Sequence, residues 1–471
     1  MLLEKIKYNL QNNGDSICAK NEDEKYTYSE MYSNVRKIYK YLLDNNMQDK
    51  VVCYGKKSPK MVATFLACSF AGLTYVPIDI NIPQNRVEYI LENVKSNLIF
   101  NYSNTELNKK YKEKTIDSEK LNNILNKKED IDLEIKLTEE DIYYILYTSG
   151  STGNPKGVQV SYSNLECFID WYTNDIGEEK INVLNQVSFS FDLSQADIYF
   201  SLYTGSTLNI LNKSSILELD KIYDFMKDSN MNFMLTTPSF AEVLLSDKKF
   251  SEELIPSIKK IYFCGEILQL KTIQKLKTRF PNIIIKNTYG PTECTIAITS
   301  IEVQNIEEDN VPIGYVMPGV KVYIVDENLQ KIDNGNIGEI LITGNCVAKG
   351  YVGISSKNFI SYNGVNGYLT GDLGFIKDNK LYYVGRKDSQ IKYKGYRIEL
   401  NDITSNVYLL DYVKKAITIA NKNNEGIVTG IISFVMTNNN CTEDIQKIKL
   451  DLKKYCLNIW YLKLNLLMNL Y

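Results

Sequence analysis

Eleven consecutive residues, Tyr147-Thr148-Ser149-Gly150-Ser151-Thr152-Gly153-Asn154-Pro155-Lys156-Gly157, bring together four Ser/Thr hydroxyls, three glycines and one lysine. Glycines let backbone N–H groups converge on an anion with no Cβ in the way, hydroxyls add neutral donors, and the lysine adds a compact positive charge. This composition suits the holding of phosphate, and the ligand it predicts is a nucleoside triphosphate. It is not a Walker loop. Pro155 precedes the lysine where that loop needs glycine, and Gly157 follows where Ser or Thr would hold magnesium. A plain Gly/Ser turn would need neither this lysine nor the clustered hydroxyls.

The chain contains no histidine, which removes Ser-His-Asp and Cys-His catalysis, imidazole bases and His-ligated zinc together. Nine cysteines (18, 53, 68, 167, 264, 294, 346, 441, 456) form no C-x-x-C pair, so neither a zinc knuckle nor a disulfide framework is expected, and reduced thiols are. The 54 basic and 57 acidic residues are well mixed and give a net charge of −3, without the basic field a nucleic-acid binder needs. The N-terminus lacks the apolar core of a signal peptide, and no run of 18 apolar residues occurs. A cytoplasmic, monomeric protein that is not membrane-embedded is the expectation.

The elements that must position the loop follow an α/β pattern. Ile142-Tyr143-Tyr144-Ile145-Leu146 predicts a buried strand leading into it. Upstream, Ser29 is expected to cap a helix whose apolar positions are Met31, Val35, Ile38 and Leu42. An apolar helix from Met61 to Phe70 precedes a strand ending at Asp79, then a helix carrying Arg86 and Tyr89. Residues 103–140 read as a charged linker with two weak helical patterns. Beyond the loop come a capped helix at Ser161 to Asp170, a strand from Asn182, and strands at Phe233 to Thr237, Lys260 to Cys264 and Ile283 to Asn287. Each ends in polar or Gly/Pro residues, where α/β proteins place their sites. Val311 to Val347 reads as a small β unit, and Gly385-Arg386-Lys387-Asp388 as a joint to a last domain.

Six motifs in order, over about residues 25 to 455, carry a resemblance. They are Ala71-Gly72 with Tyr75-Val76-Pro77-Ile78-Asp79, the phosphate loop, Phe191-Asp192-Leu193-Ser194, Asn287-Thr288-Tyr289-Gly290-Pro291-Thr292-Glu293, Tyr368-Leu369-Thr370-Gly371-Asp372, and Gly385 through Glu399. The chain resembles the adenylate-forming superfamily of acyl-CoA synthetases, peptide-synthetase adenylation domains and luciferases. The resemblance implies an α/β (α+β) fold. Residues 1–387 would form a large adenylation domain with two helix-flanked sheets and a small β unit, and residues 388–471 a small, incomplete α+β domain hinged at Asp388.

It also implies site roles. Lys156 and Thr152, with Thr148 and Ser149, would grip the phosphates of ATP, and Glu293 would hold Mg2+. Asn287, Thr288, Tyr289, Gly290, Pro291 and Thr292 would line the adenine and α-phosphate side, while Asp372, Tyr383 and Arg386 would face the ribose. A substrate carboxylate, already ionised and needing no base, would attack the α-phosphorus, and the acyl group would then pass to a thiol. In the amino-acid branch an aspartate at the position of Asp192 pairs with the substrate ammonium; a loop cap is the alternative reading of this residue. Cys264, in Phe263-Cys264-Gly265-Glu266, together with Thr236-Thr237-Pro238-Ser239-Phe240 and Ser188-Phe189-Ser190-Phe191-Asp192-Leu193-Ser194, looks most like the D-alanine:D-alanyl carrier protein ligases of lipoteichoic acid alanylation, which implies Asp192, Cys264 and Ile296 as substrate residues. The partners implied are D-alanine and a carrier protein with a phosphopantetheine arm. Ordinary core packing is the other reading of Cys264, and an adenylation domain for another amino acid, or an ATP-binding remnant with impaired catalysis, the other readings of the chain.

The C-terminus departs from the family. Lys453 through Leu464 shows neither the family's Leu-Pro-x-Tyr-Met segment nor the Gly-Lys motif whose lysine bridges carboxylate and α-phosphate. If Ile459 is coded ATA, Trp460 TGG, Leu462 CTA and Lys463 AAA, reading one base out of register gives Met, Val, Pro or Ser, and Lys, as in that segment. The expectation is a single-base loss near Tyr455, residues 456–471 non-native, and the catalytic lysine lost.

Overall fold

The computed structural model describes residues 2–103, 105–128, 131–150, 154–212, 218–303, 310–394, 396–423, 428–437, 444–452 and 462–466. Val51, Val52, Cys53 and Tyr54 are buried in succession, as a strand covered on both faces must be. Their strand, Lys50–Gly55, lies parallel to Thr74–Asp79 on one side and Leu98–Tyr102 on the other. Thr74–Asp79 then meets Ile142–Thr148, which turns back antiparallel into Lys156–Ser161, so the phosphate loop is a hairpin connection with Lys156 opposite Thr148. Thr115–Ile116 completes this six-stranded sheet. The stretch read as linker thus supplies an edge strand as well as the helix Ser118–Leu125.

A second sheet, nine-stranded among the described residues, has a parallel centre formed by Ile284–Tyr289, Lys260–Phe263, Phe233–Thr236, Asn182–Asn185 and Thr207–Ile210. Between the two sheets runs the helix Asp192–Thr204, in which every residue except Tyr203 is buried. Tyr75, on the six-stranded sheet, donates to Gln195 Oε1 on this helix at 2.6 Å, and Tyr199 Oη donates to Tyr75 Oη at 3.0 Å. A helix covered all round keeps no solvent face, so its first residue, Asp192, is fixed by packing on both sides. Gly205, at φ 74°, ends it in the left-handed conformation that favours glycine.

The sequence places the cap of the helix Tyr28–Asp44 two residues late. Thr27, not Ser29, is the N-cap, because only Thr27 stands three residues before Glu30: its side chain accepts from Glu30 N while the Glu30 carboxylate accepts from Thr27 N. The small β unit expected over 311–347 extends further: Val320–Val325 and Gly338–Gly344 belong to an antiparallel five-stranded sheet that Phe359–Tyr362, Val365–Lys377 and Lys380–Arg386 complete. After Asp388 come a hairpin of Gln390–Tyr393 with Tyr396–Glu399, the helix Leu400–Tyr408, the paired strands Val413–Lys422 and Val428–Thr437, and the helix Asp444–Leu452. These elements share their own core, which includes Ile398, Ile403, Val407, Ile431, Val435 and Ile448. Of the segment 456–471, only Leu462–Leu466 is described, as a strand parallel to Val428–Thr437; the rest of that expectation lies outside the described residues. Among the described residues no helix is long and apolar enough to cross a membrane.

The turn after Ile284–Tyr289 admits no side chain at Gly290. A Cβ there would stand 2.6 Å from Ala297 Cα and 2.8 Å from the Ile296 carbonyl oxygen, both backbone atoms. Gly290→Ala is therefore expected to lower stability by about 1–3 kcal/mol, the cost of overpacking a closed site. Thermal unfolding of the variant beside the parent chain checks this, and an unchanged Tm would contradict it.

Candidate active site

The parallel strands of the nine-stranded sheet end on one side of the molecule, and the residues that follow them, Gln186 to Asp192, Thr237, Gly265 and Thr292, wall a cavity of about 1590 Å³. The small C-terminal elements close its far side through Lys392, Arg397 and Leu400.

At the closed end stands Asp192, 7% exposed. Phe191 caps the helix without a side-chain bond, so Asp192 is the first helical residue and not a cap. Thr292 Oγ1 donates to its Oδ2 at 2.7 Å. Burial pushes its carboxyl up to about 6, against the opposing pull of Thr292, the Leu193 backbone and Lys392. Among the described residues no lysine or arginine forms an ion pair with it. The loop leading to Asp192 is pinned from across the molecule. Lys57, buried, donates to Asn185 Oδ1 and the Val187 carbonyl at 3.0 Å each and to the Asn185 carbonyl at 3.2 Å, while Asn185 Nδ2 donates to Asp197 at 3.0 Å. Burial lowers the Lys57 ammonium to about 7. Cys264 and Ile296, each 1% exposed, share one apolar cluster behind the cavity wall. Burial pushes the Cys264 thiol up, so it is held as the unreactive thiol. Thr295 and Ile296 both have positive φ, 59° and 73°, a strained arrangement for two β-branched residues.

Asp372 lies behind the opposite wall. Tyr289 Oη and Arg386 Nη1 each donate to one of its oxygens at 2.6 Å, and Arg386 also grips both oxygens of Asp388 at 2.7 Å. A carboxylate has about four acceptor sites, so the acid expected at the ribose retains capacity. Asn287 and Thr288 turn their side chains to backbone: Asn287 Nδ2 donates to the Pro312 carbonyl and Thr288 Oγ1 to that of Phe263, both at 2.8 Å. They hold strand ends in place, and with Tyr289, Thr292 and Tyr383 they border the cavity. Gly290 and Pro291 shape the turn between these groups.

In the phosphate loop, Thr148 Oγ1 faces the Lys156 carbonyl at 3.5 Å, Ser149 Oγ donates to the Arg397 carbonyl at 2.8 Å, and the Lys156 ammonium lies 5.4 Å from the Tyr351 ring centre. Thr152 falls outside the described residues. Glu293 has no solvent exposure. Burial would raise its carboxyl, but Arg397, whose Nη1 meets the two oxygens at 2.9 and 2.8 Å, and the Tyr351 hydroxyl at 2.7 Å outweigh it and hold Glu293 below its ordinary range. Arg397, Lys392 and Tyr351 had no role in the sequence reading. Arg397 lies inside a motif that was noticed, but nothing in that motif says which distant acid it would meet.

Magnesium takes one or two carboxylates with phosphate oxygens and water. Glu293 is of the right kind, yet in this arrangement Arg397 and Tyr351 take up its oxygens, so the observed geometry does not fit a cation there. Among the described residues no group of three or more Cys, Asp or Glu side chains is arranged to hold a metal ion. The seven described cysteines are all free thiols.

The AMP-binding enzyme family matches residues 6–352. The D-alanine--D-alanyl carrier protein ligase of Bacillus licheniformis is 40% identical over 437 residues, spanning 89% of this chain and 85% of the relative. That of Listeria monocytogenes serotype 4b strain F2365 is 35% identical over 471 residues, spanning 96% and 92%. Among solved structures, the Vibrio cholerae adenylation domain AlmE in complex with glycyl-adenosine-5'-phosphate superposes with a TM-score of 0.83 at 22% identity, over 98% of this chain and 93% of that one. The o-succinylbenzoate CoA synthetase MenE of Bacillus subtilis gives 0.86 at 19% identity, over 98% and 94%. These two likenesses bear on the fold alone.

Proposed function

The chain belongs to the AMP-binding enzyme family, and on that premise we propose that it is a ligase that activates D-alanine with ATP as D-alanyl adenylate and passes the acyl group to the phosphopantetheine thiol of a D-alanyl carrier protein. The observation that carries the substrate class is Asp192: a carboxylate at a cavity wall, out of water and without a basic partner among the described residues. Burial makes its charged form costly, a cation joining it offsets that cost, and the ammonium of an amino acid is such a cation. Asp192 and Gly265 border the cavity with the apolar Cys264–Ile296 cluster behind its wall, and the relatives of 35–40% identity bear the name of D-alanine ligases.

In this reading residues 1–387 bind both substrates and residues 388–471 turn about Asp388. Thr148, Ser149, Thr152 and Lys156 offset the charge of the triphosphate, Tyr289 lies along the base, and Asp372 with Arg386 and Tyr383 orients the ribose. The substrate carboxylate attacks the α-phosphorus, pyrophosphate leaves, and no proton has to move, which suits a chain without histidine. Glu293 would hold Mg2+ only in an arrangement that frees it of Arg397 and Tyr351, and the ion would there supply charge neutralisation for the triphosphate. Reaction in the cytoplasm, where ATP is present, accords with this chemistry.

Pyrophosphate exchange with D-alanine, L-alanine, glycine and a large apolar amino acid tests the proposal. D-alanine is expected to give the highest rate. A higher rate with the large amino acid would assign another specificity, and nucleotide binding without exchange for any amino acid would favour a binding remnant.

Asp192 also sets a pH dependence. Its carboxyl is raised from the ordinary 3.8 to about 6, so in the free chain it lowers folding stability by about 3 kcal/mol as pH rises through that window. Only the ionised form pairs with ammonium, so through this group KM for D-alanine is expected to fall about fivefold between pH 5 and pH 6, about tenfold in all by pH 7, and to level off above that. Asp192→Asn should abolish that dependence and weaken activation by about 2–4 kcal/mol. An unaltered pH profile in the variant would remove the charge pair.

Cys264 is assigned to selectivity rather than to chemistry. Cys264→Ala is expected to retain adenylation and to relax the D over L preference by about 1–3 kcal/mol, the worth of one small group in a closed pocket. Complete loss of activity in a folded variant would contradict this.

A further inference from the structure

Lys56 and Lys57 connect the strand Lys50–Gly55 to Ser58, which caps the helix Pro59–Phe70 by accepting from Met61 N. This connection is fixed at both ends. A Cβ at Gly55 would stand 2.7 Å from the Tyr102 carbonyl carbon, and the helix behind Ser58 is buried at every residue but Lys60. From there the Lys57 side chain reaches the second sheet, where its ammonium meets three oxygens: Asn185 Oδ1 and the Val187 carbonyl at 3.0 Å and the Asn185 carbonyl at 3.2 Å. An ammonium has three N–H donors, one for each oxygen, whereas an amine has two and would turn its lone pair toward the third. The Asn185 carbonyl also accepts from Leu211 N at 2.9 Å, so what Lys57 adds is its hold on the Asn185 side chain and on Val187. Asn185 Nδ2 in turn donates to Asp197 Oδ2 at 3.0 Å.

From Val187 the chain turns to deliver Asp192. Phe191 N donates to the Ser188 carbonyl at 3.0 Å, Ser188 Oγ to Asp79 Oδ2 at 2.5 Å, and Gln195 Nε2 to the Phe189 carbonyl at 3.0 Å. The later part of the turn is thereby tied to the strand Thr74–Asp79 and to the helix Asp192–Thr204, and Lys57 ties the earlier part. Buried carbonyls that lose a donor move or pay for desolvation, and a shift of Val187 passes through this turn to the Asp192 carboxylate. Burial brings the Lys57 ammonium down to about 7, against the pull of Asp79 on the strand Thr74–Asp79, Asp197 on the helix Asp192–Thr204 and Glu22 after the strand Ile17–Lys20.

We propose, on the reading of Asp192 as the partner of the substrate ammonium, that Lys57 is a positioning residue for the amino acid: its charged ammonium holds Asn185 and Val187 so that the turn presents the Asp192 carboxylate to the cavity. Above neutrality the ammonium becomes an amine, one of the three oxygens loses its donor, and the turn loosens.

The test is pyrophosphate exchange with D-alanine in the parent chain, Lys57→Met, Asp192→Asn and the double variant. Lys57→Met keeps the aliphatic stem and removes the donors; it is expected to raise KM for D-alanine about tenfold, while kcat and KM for ATP stay within about twofold. In the Asp192→Asn background the same change is expected to raise KM by less than about twofold, since a group that acts through Asp192 has no carboxylate left to place. A rise of about tenfold in both backgrounds, or a loss of kcat with KM unchanged, would mark general damage and overturn the assignment. The parent chain supplies a second measurement that needs no variant to fold. Above pH 7, where the contribution of Asp192 is level, KM counted on the ammonium form of D-alanine is expected to rise about threefold by pH 8.5. A KM that stays constant over that range would also overturn the assignment. An unchanged KM in Asp192→Asn would instead overturn the reading of Asp192 beneath it.

Discussion

Asp192 is held nearly out of water at the cavity wall, at the first turn of a helix packed against both sheets, and the architecture around the cavity keeps it there. A carboxylate in that position is helped by a hydroxyl donor, which Thr292 supplies, while the pull of Lys392 stops short of an ion pair and leaves burial dominant. Packing fixes the position: the Tyr75, Gln195 and Tyr199 bonds lock the helix to one sheet, and the Lys57 ammonium ties the preceding loop to the start of the chain. The ionisation cost of Asp192 is therefore a property of the fold, and it is relieved by what enters the cavity.

Glu293, one residue beyond Thr292, has the opposite electrostatics. It is buried more deeply still, yet its carboxyl is held low because Arg397 and Tyr351 come to it. Two neighbouring acids thus divide the work by environment rather than by residue type: one awaits a cation from outside, the other has a cation of the chain's own that arrives with the C-terminal hairpin. Since that hairpin belongs to a unit with a separate core, the charge on Glu293 depends on where the unit sits.

Much of this was legible in the sequence because it is local. The apolar run before the phosphate loop, the polar ends of the parallel strands, the helix after Ser161 and the antiparallel β unit all depend on patterns a few residues long, and all are present. The cap of the helix Tyr28–Asp44 was misplaced because Ser29 and Thr27 are equally good capping types, and only the reciprocal bond with Glu30 selects between them. Residues 103–140 were underrated because a two-residue edge strand has no periodicity to detect.

The sequence by itself determined which groups exist: a phosphate loop with one lysine, an aspartate in a Phe-Asp-Leu-Ser segment, a Thr-Glu pair after a strand, and no histidine anywhere. Residue types and short spacings are sufficient for that, since they set what chemistry is available. Tertiary structure alone decided which charges meet. Arg86 and Asp402 are 316 residues apart, Arg397 and Glu293 are 104 apart, and Lys57 reaches Asn185 across 128. No local pattern encodes such pairings, because the energy of a buried charge depends on the partner that the whole fold brings to it.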